Sequence, residues 1–282
     1  MNIGICGLGL IGGSLAKAIK KNTNNKVFGY DASEKIYLEA KMFKAVDDKL
    51  TTEKIKICDI VFVAVYPQAT IEYIKENQKH FKEDALVVDC SGIKRNVCEE
   101  CFPIAKGNNF TFIGGHPMAG TQYSGFKYAR DNLYNNATML LVPPNDIIIE
   151  KLEALQGLLK QIGFAKIQIT NAQMHDKVIA FTSQLPHVIS NSYIKSPQAE
   201  IHRGYSAGSY RDLSRVAQLN AEMWTDLFLH NADNLIFEID TLIENLQQYS
   251  DALKKNDAVK LITLLNEGNN RKHNIDKGNI KK

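Results

Sequence analysis

Gly7-Leu8-Gly9-Leu10-Ile11-Gly12 is a GxGxxG run that follows a short β-branched stretch and opens a helical one. In that context the first glycine makes a tight turn, the second lets a pyrophosphate approach, and the third lets helix and strand pack. The helix N-terminus offers free N–H groups and a positive dipole to phosphates. Asp31 follows at the end of the next strand-like run. A carboxylate there accepts hydrogen bonds from ribose hydroxyls and repels a 2′-phosphate, which favours NAD over NADP. Loops after later strands border such a cofactor. Val65 opens one of them, "VYPQ", and "DCSGIK" (89–94) forms another.

His116 lies in "FIGGHPMAGTQYSGF" (112–126), between two glycines and a proline. Pro117 disfavours helix at His116, and the glycines let the backbone come close to a neighbour. One reading is a turn whose histidine caps a strand. The other follows from its place after the fifth parallel strand, on the nicotinamide side of a hydride-transfer site. Imidazole titrates near neutrality and suits removal of a hydroxyl proton.

The second half supplies His175 and His187, in "HDKVIAFTSQLPHV". Twelve residues, a little over three turns, separate them on one expected helix. Pro186 is expected to kink that helix and tip His187 toward a cleft. Both are either helix-packing groups or substrate ligands. "YRDLSRVAQLNAEMW" holds Arg211, Asp212, Arg215 and Trp224. Arg215 is spaced to pair with Asp212 on a helix surface, or to grip a substrate carboxylate in two-pronged fashion.

The elements that position these groups change character near residue 170. Before it, "NIGIC", "KVFGY", "DIVFVAV", "ALVVDC", "FTFIGG", "ATMLLVP" and "AKIQI" alternate with helical segments. Most are continuously apolar, as strands covered on both faces are. The pattern predicts a doubly wound, mostly parallel Rossmann domain over 1–170. After it only helical periodicity remains, predicting an all-α domain over 171–282. Its apolar faces exceed what one small bundle needs, so a homodimer through this domain is expected.

The chain has 282 residues and a net charge of +3, which gives no concentrated basic face for nucleic acid. No run reaches the roughly 18 apolar residues of a membrane helix, and "MNIGICG" does not resemble a signal peptide. A cytoplasmic protein with reduced cysteines is expected. Cys98 and Cys101 form a lone CxxC without the two further ligands zinc needs, so no metal is expected. The Asn- and Lys-rich tail "NEGNNRKHNIDKGNIKK" is expected to fray.

Four motifs, "GLGLIGGS", "GGHPMAGTQYSGF", "HDKVIAFTSQLPH" and "RDLSRVAQLNAEMW", resemble the prephenate dehydrogenase family over nearly the whole chain. HPMAG followed by SG is the most specific. The resemblance implies a Rossmann domain and a helical dimerisation domain. It also implies NAD as cofactor and prephenate as substrate, oxidised and decarboxylated to 4-hydroxyphenylpyruvate in tyrosine biosynthesis. It implies that His116 accepts the proton or hydrogen bond of the C4 hydroxyl. Arg215 would grip a carboxylate, His187 would help hold the substrate, and Gln122 would stand in a gating loop. Two departures stand out. Many family members carry Glu at the Gln122 position. The family's strand-four loop usually reads aspartate, two residues, serine; here Ser91 comes one position earlier and Gly92 takes that place. Ser91 is expected to reach His116, or a water substitutes. The regulatory C-terminal domain of some members is expected to be absent.

Three alternatives remain open. One is an enzyme that oxidises arogenate. Another is a catalytically silent NAD-binding regulator, motivated by the Ser91/Gly92 loop. The third is a β-hydroxyacid dehydrogenase. Lys177 stands near the lysine of that last class, but there is no GxxxK pattern, and the HPMAG loop counts against it.

Overall fold

The computed structural model describes residues 1–121 and 123–280. The strands are β1 (Asn2–Cys6), β2 (Lys26–Tyr30), β3 (Asp48–Lys49), β4 (Ile60–Val63), β5 (Leu86–Asp89), β6 (Thr111–Met118), β7 (Thr138–Val142) and β8 (Lys166–Ile169). They form one sheet in the order β3-β2-β1-β4-β5-β6-β7-β8. All neighbours run parallel except β6 and β7. The order reverses between β1 and β4, the place where open α/β sheets bind ligands at the carboxyl ends of their strands.

The helices interleaved with the strands are α1 (Leu10–Asn22), α2 (Glu34–Met42), α3 (Thr52–Ile55), α4 (Pro67–Asn77), α5 (Arg95–Lys106) and α6 (Ile149–Gln161). β4 and β5 are buried along their whole length, which is why they read as unbroken apolar runs. Two apolar clusters, one containing Ile5, Leu15 and Phe62 and the other Val61, Ile74 and Phe112, form the core. β3 has no sequence signal because two residues are too short for periodicity.

From residue 172 the described chain is helical: α7 (Ala172–Ile179), α8 (Leu185–Tyr193), α9 (Gly208–Ser214), α10 (Ala221–Leu229), α11 (Ala232–Lys254) and α12 (Ala258–Ile280). The chain packs as two compact units, Met1–Ala232 and Asp233 onward. Strand content therefore stops near 170, while the first compact unit continues through α10. The second unit carries exposed apolar side chains on both helices, among them Phe237, Leu246, Val259, Ile262 and Leu265. The described part of the tail, through Ile280, departs from the expectation of fraying. It continues α12, with Arg271–Glu267 (3.0 Å) and Lys272–Asp276 (2.6 Å) pairs four residues apart. Such pairs support an exposed helix without an apolar face.

β6 corrects a second expectation. His116 lies inside the strand, opposite Leu140 of β7, and not in a loop after it. β6 pairs with β5 only through Ile113 and with β7 from Gly114 onward. A proline in this half of the strand therefore interrupts no ladder with β5.

Candidate active site

The glycine run closes the β1–α1 turn as its spacing predicts. Gly7 has φ +85°, a left-handed conformation that suits glycine. A Cβ on Gly12 would overlap the Gly7 carbonyl oxygen, so helix and turn touch there. A Cβ on Gly9 would meet nothing within 4 Å. That exposed backbone, together with the uncapped first turn of α1 and its lack of acidic residues, fits a diphosphate. Leu8 contributes differently from its neighbours: its side chain is fully buried in the core, and its N–H donates to Asp31 Oδ2 at 2.8 Å. Asp31 Oδ1 accepts from Ser33 N–H at 2.9 Å. The carboxylate is thus aimed and tied to the glycine turn, and each oxygen keeps a lone pair for a ribose hydroxyl. The Ile11 carbonyl accepts from the Tyr134 hydroxyl at 2.6 Å, which anchors the first turn of α1. Leu10 opens that turn, and Val65 follows β4 with its Cγ1 beside Gly7.

Gly115 shows why glycine precedes His116: a Cβ there would collide with the Asp89 carbonyl at the end of β5. The close approach sets His116 beside the 89–94 loop. His116 is half-buried, and its Nδ1 lies 2.9 Å from His175 Nε2. His175 is 2% exposed, and its Nδ1 lies 2.7 Å from Asp176 Oδ1. Asp176 accepts from the backbone N–H of Lys94 (2.7 Å) and of Arg95 (2.9 Å), and faces the Arg95 guanidinium at 3.4 Å.

Ser91 does not bond to His116. Its hydroxyl donates to the Ile93 carbonyl (3.1 Å) and accepts from Lys94 Nζ (3.1 Å), while Lys94 is also paired with Asp89. Lys94 and Asp89 are fully buried. The tight loop turns the hydroxyl inward, and His175 takes the place beside His116 expected of the serine. His175 thus stands behind His116 with both ring nitrogens occupied by protein, which leaves it neither nitrogen for a substrate.

Burial pushes the His116 pKa well below the ordinary value of 6.5, helped by nearby His175 and Lys94. Burial also lowers that of His175, against the opposing pull of Asp176. Burial works against ionised Asp176, but bonds from His175 and Arg95 hold its carboxyl below the usual range.

α7 passes into a π-helical turn, Ala180–Gln184, before α8. Pro186 has no N–H to give, and the wide turn takes up the missing bond. The expected distortion thus lies ahead of Pro186. His187 Nδ1 bonds to the Ser183 carbonyl at 2.8 Å, and its ring packs on Trp224 at 3.8 Å between centroids. Burial and the Arg215 charge lower its pKa. Arg215 is exposed at the end of α9. Among the described residues it forms no ion pair with Asp212. The structure therefore gathers His187, Trp224 and Arg215, and separately His116, His175 and Asp176. Gln122 lies outside the described residues.

Sequence reasoning passed over Asp176, Lys94, Asp89, Gln184 and Asn231. The adjacency of His175 and Asp176 gave no hint of their pair, since neighbours on a helix point to different faces. Cys98 and Cys101 are buried in α5, with thiols pushed up to about 12. Among the described residues no group of three His, Cys, Asp or Glu is arranged to hold a metal.

The family model "prephenate dehydrogenase, nucleotide-binding domain" matches residues 15–168, and "prephenate dehydrogenase, dimerization domain" matches 171–267. A Bacillus subtilis protein named prephenate dehydrogenase is 29% identical over 91% of this chain and 71% of its own length. One from Lactococcus lactis is 31% identical over 94% and 74%. A cyclohexadienyl dehydrogenase of Zymomonas mobilis is 29% identical over 93% and 91%. Among solved structures, prephenate dehydrogenase from A. aeolicus in complex with hydroxyphenyl propionate and NAD+ has a TM-score of 0.85 at 25% identity. That match covers 98% of both chains. Synechocystis arogenate dehydrogenase has 0.81 at 26%, covering 98% of this chain and all of that one.

Proposed function

The chain belongs to the prephenate dehydrogenase family and is an NAD-dependent dehydrogenase, and from that premise we propose how its residues oxidise prephenate. The substrate carries a hydroxyl and a hydrogen at C4, a ring carboxylate and a pyruvyl side chain. Loss of hydride from C4, of the hydroxyl proton and of carbon dioxide leaves an aromatic ring, 4-hydroxyphenylpyruvate, once the phenol regains a proton.

The glycine turn and Asp31 hold the dinucleotide, which when bound supplies a nicotinamide ring that accepts the hydride. His116 takes the C4 hydroxyl proton and returns it to the phenol oxygen. Its lowered pKa keeps the ring neutral, and so able to accept, at neutral pH. Arg215 grips a substrate carboxylate, and an exposed guanidinium beside His187 and Trp224 suits that task. Gln122 is assigned to the gating loop by the family pattern alone.

The observation that carries this reading is the His116 ring. It lies on the strand beside the carboxyl end of β5, half-buried, with one nitrogen bonded to a buried partner. NADH formation from prephenate and NAD tests it, and no NADH from any cyclohexadienol would overturn it. Arogenate is the second reading, supported by the likeness to a cyclohexadienyl and an arogenate dehydrogenase. Parallel assays with both substrates separate the two.

We further propose a functional boundary near residue 170 and a homodimer through the helical half. The exposed apolar side chains of α11 and α12 and the description of the matching family model support the dimer. Light scattering giving a monomer mass at micromolar concentration would refute it. No helix among the described residues is long and apolar enough to cross a membrane. Together with five free, buried cysteines, this supports a cytoplasmic location.

A further inference from the structure

We propose that Asp176, acting through His175, fixes the hydrogen of His116 on Nδ1 and so makes Nε2 the base. The inference rests on the reading of His116 as the proton acceptor.

Donors and acceptors decide the hydrogen positions. Asp176 accepts two backbone N–H groups and faces a guanidinium, so it is an ionised carboxylate that can only accept. His175 Nδ1, at 2.7 Å, must therefore donate to it. Burial keeps His175 neutral, and a neutral imidazole has one N–H. That N–H is spent on Asp176, so His175 Nε2 is an acceptor. His116 Nδ1, 2.9 Å away, must then be the donor. His116 is neutral as well, so its lone pair is on Nε2. After proton capture, the His116 imidazolium keeps its bond to a His175 backed by a carboxylate, which spreads the charge inward.

The same geometry contains a second state. A proton on His175 would make Nε2 the donor and move the His116 hydrogen to Nε2. His116 would then be unable to accept a proton although itself uncharged. The two rings titrate as a pair, and either proton stops the reaction. The charged groups around the pair are Asp89 at the end of β5, Lys94 in the loop after it and Asp176 on α7, with Arg95 of α5 facing Asp176. Asn231 braces the arrangement. Its amide donates to the Asp176 carbonyl and to Gln184 Oε1, both at 2.8 Å, and its oxygen accepts from Arg95 at 3.0 Å. Asp176 and His175 are thus positioning residues for His116.

Long-range nitrogen–proton NMR on protein labelled at histidine tests this. At neutral pH the His116 ring of the parent should show the Nδ1–H form. Asp176→Asn and His175→Asn should lose that single form and lower kcat/KM by about 10²–10⁴, the scale of a wrongly held tautomer. Affinity for NAD should stay within about threefold of the parent. An Nε2–H form of His116 in the folded parent would overturn the proposal, even if neither variant folds. So would Asp176→Asn variants that fold, keep the parent's kcat/KM and keep the Nδ1–H form. Failure of the functional reading looks different: the parent would turn over no substrate while its His116 still showed the Nδ1–H form.

Discussion

The two ends of the segment from Ala172 to Tyr193 are built on opposite plans. At the His175 end, the ring is 2% exposed and each nitrogen has a protein partner. At the His187 end, the ring is half-buried against Trp224 and the neighbouring Arg215 is exposed. Proton transfer needs a hydrogen in a known place, and a closed network of bonds supplies it. Holding a dianion needs a cation that has not already been spent on a protein carboxylate. The π-helical turn between them lets one continuous stretch of chain serve both ends, with Gln184 tied to Asn231 and to the Leu227 carbonyl.

The comparison breaks most sharply at its buried end. His116→Asn keeps the shape and one hydrogen bond but loses proton acceptance, and kcat/KM for prephenate should fall by about 10²–10⁴. NAD affinity should hold, because the substitution leaves the glycine turn and Asp31 untouched. At the open end, Arg215→Ala should raise KM for prephenate by about 10²-fold, since losing a charge-assisted pair costs about 2–5 kcal/mol. A similar collapse of NAD affinity would make Arg215 a structural residue and erase the contrast.

Outside both ends, Asp31→Ala should narrow the preference for NAD over NADP by about tenfold, the scale of one charged hydrogen bond. The same change frees the Leu8 N–H, so part of the loss should appear as weaker binding of both dinucleotides. Titration of each dinucleotide by fluorescence measures this, and equal use of both by the parent would contradict it.

The smallest effect is on stability. Folded His116 and His175 have pKa values below 6.5, so between those values and 6.5 the unfolded chain binds more protons. Their contribution is full above about 6.5 and is lost as the pH falls through the folded values. Melting temperatures should therefore drop on acidification below about pH 6.5, and less steeply in His175→Asn. A flat profile would place these rings outside the folded core.

Much of this was legible in the sequence. The glycine turn and the apolar runs of the strands are local patterns, and Asp31 follows at the spacing the glycine fingerprint expects. His116 was legible as extended because Pro117 disfavours helix there. The network behind it was not. Lys94, Asp176 and Asn231 lie far apart in the chain and meet only once α5, α7 and the end of α10 pack together. The direct contact of Ser91 with His116 is missing for a local reason: the hydroxyl, one position earlier than in the family pattern, points at Ile93 and Lys94.

The pH dependence of kcat/KM for prephenate, measured on the parent and His116→Asn together, tests the central claim most directly. His116 must be neutral to accept a proton, and burial holds its pKa well below 6.5. The parent should therefore be fully active at neutral pH and lose activity only on an acidic limb below about 6.5. The variant should be slower by about 10²–10⁴ and lack that limb. A variant within tenfold of the parent that keeps the same acidic limb would contradict the account, because another group would then be the base.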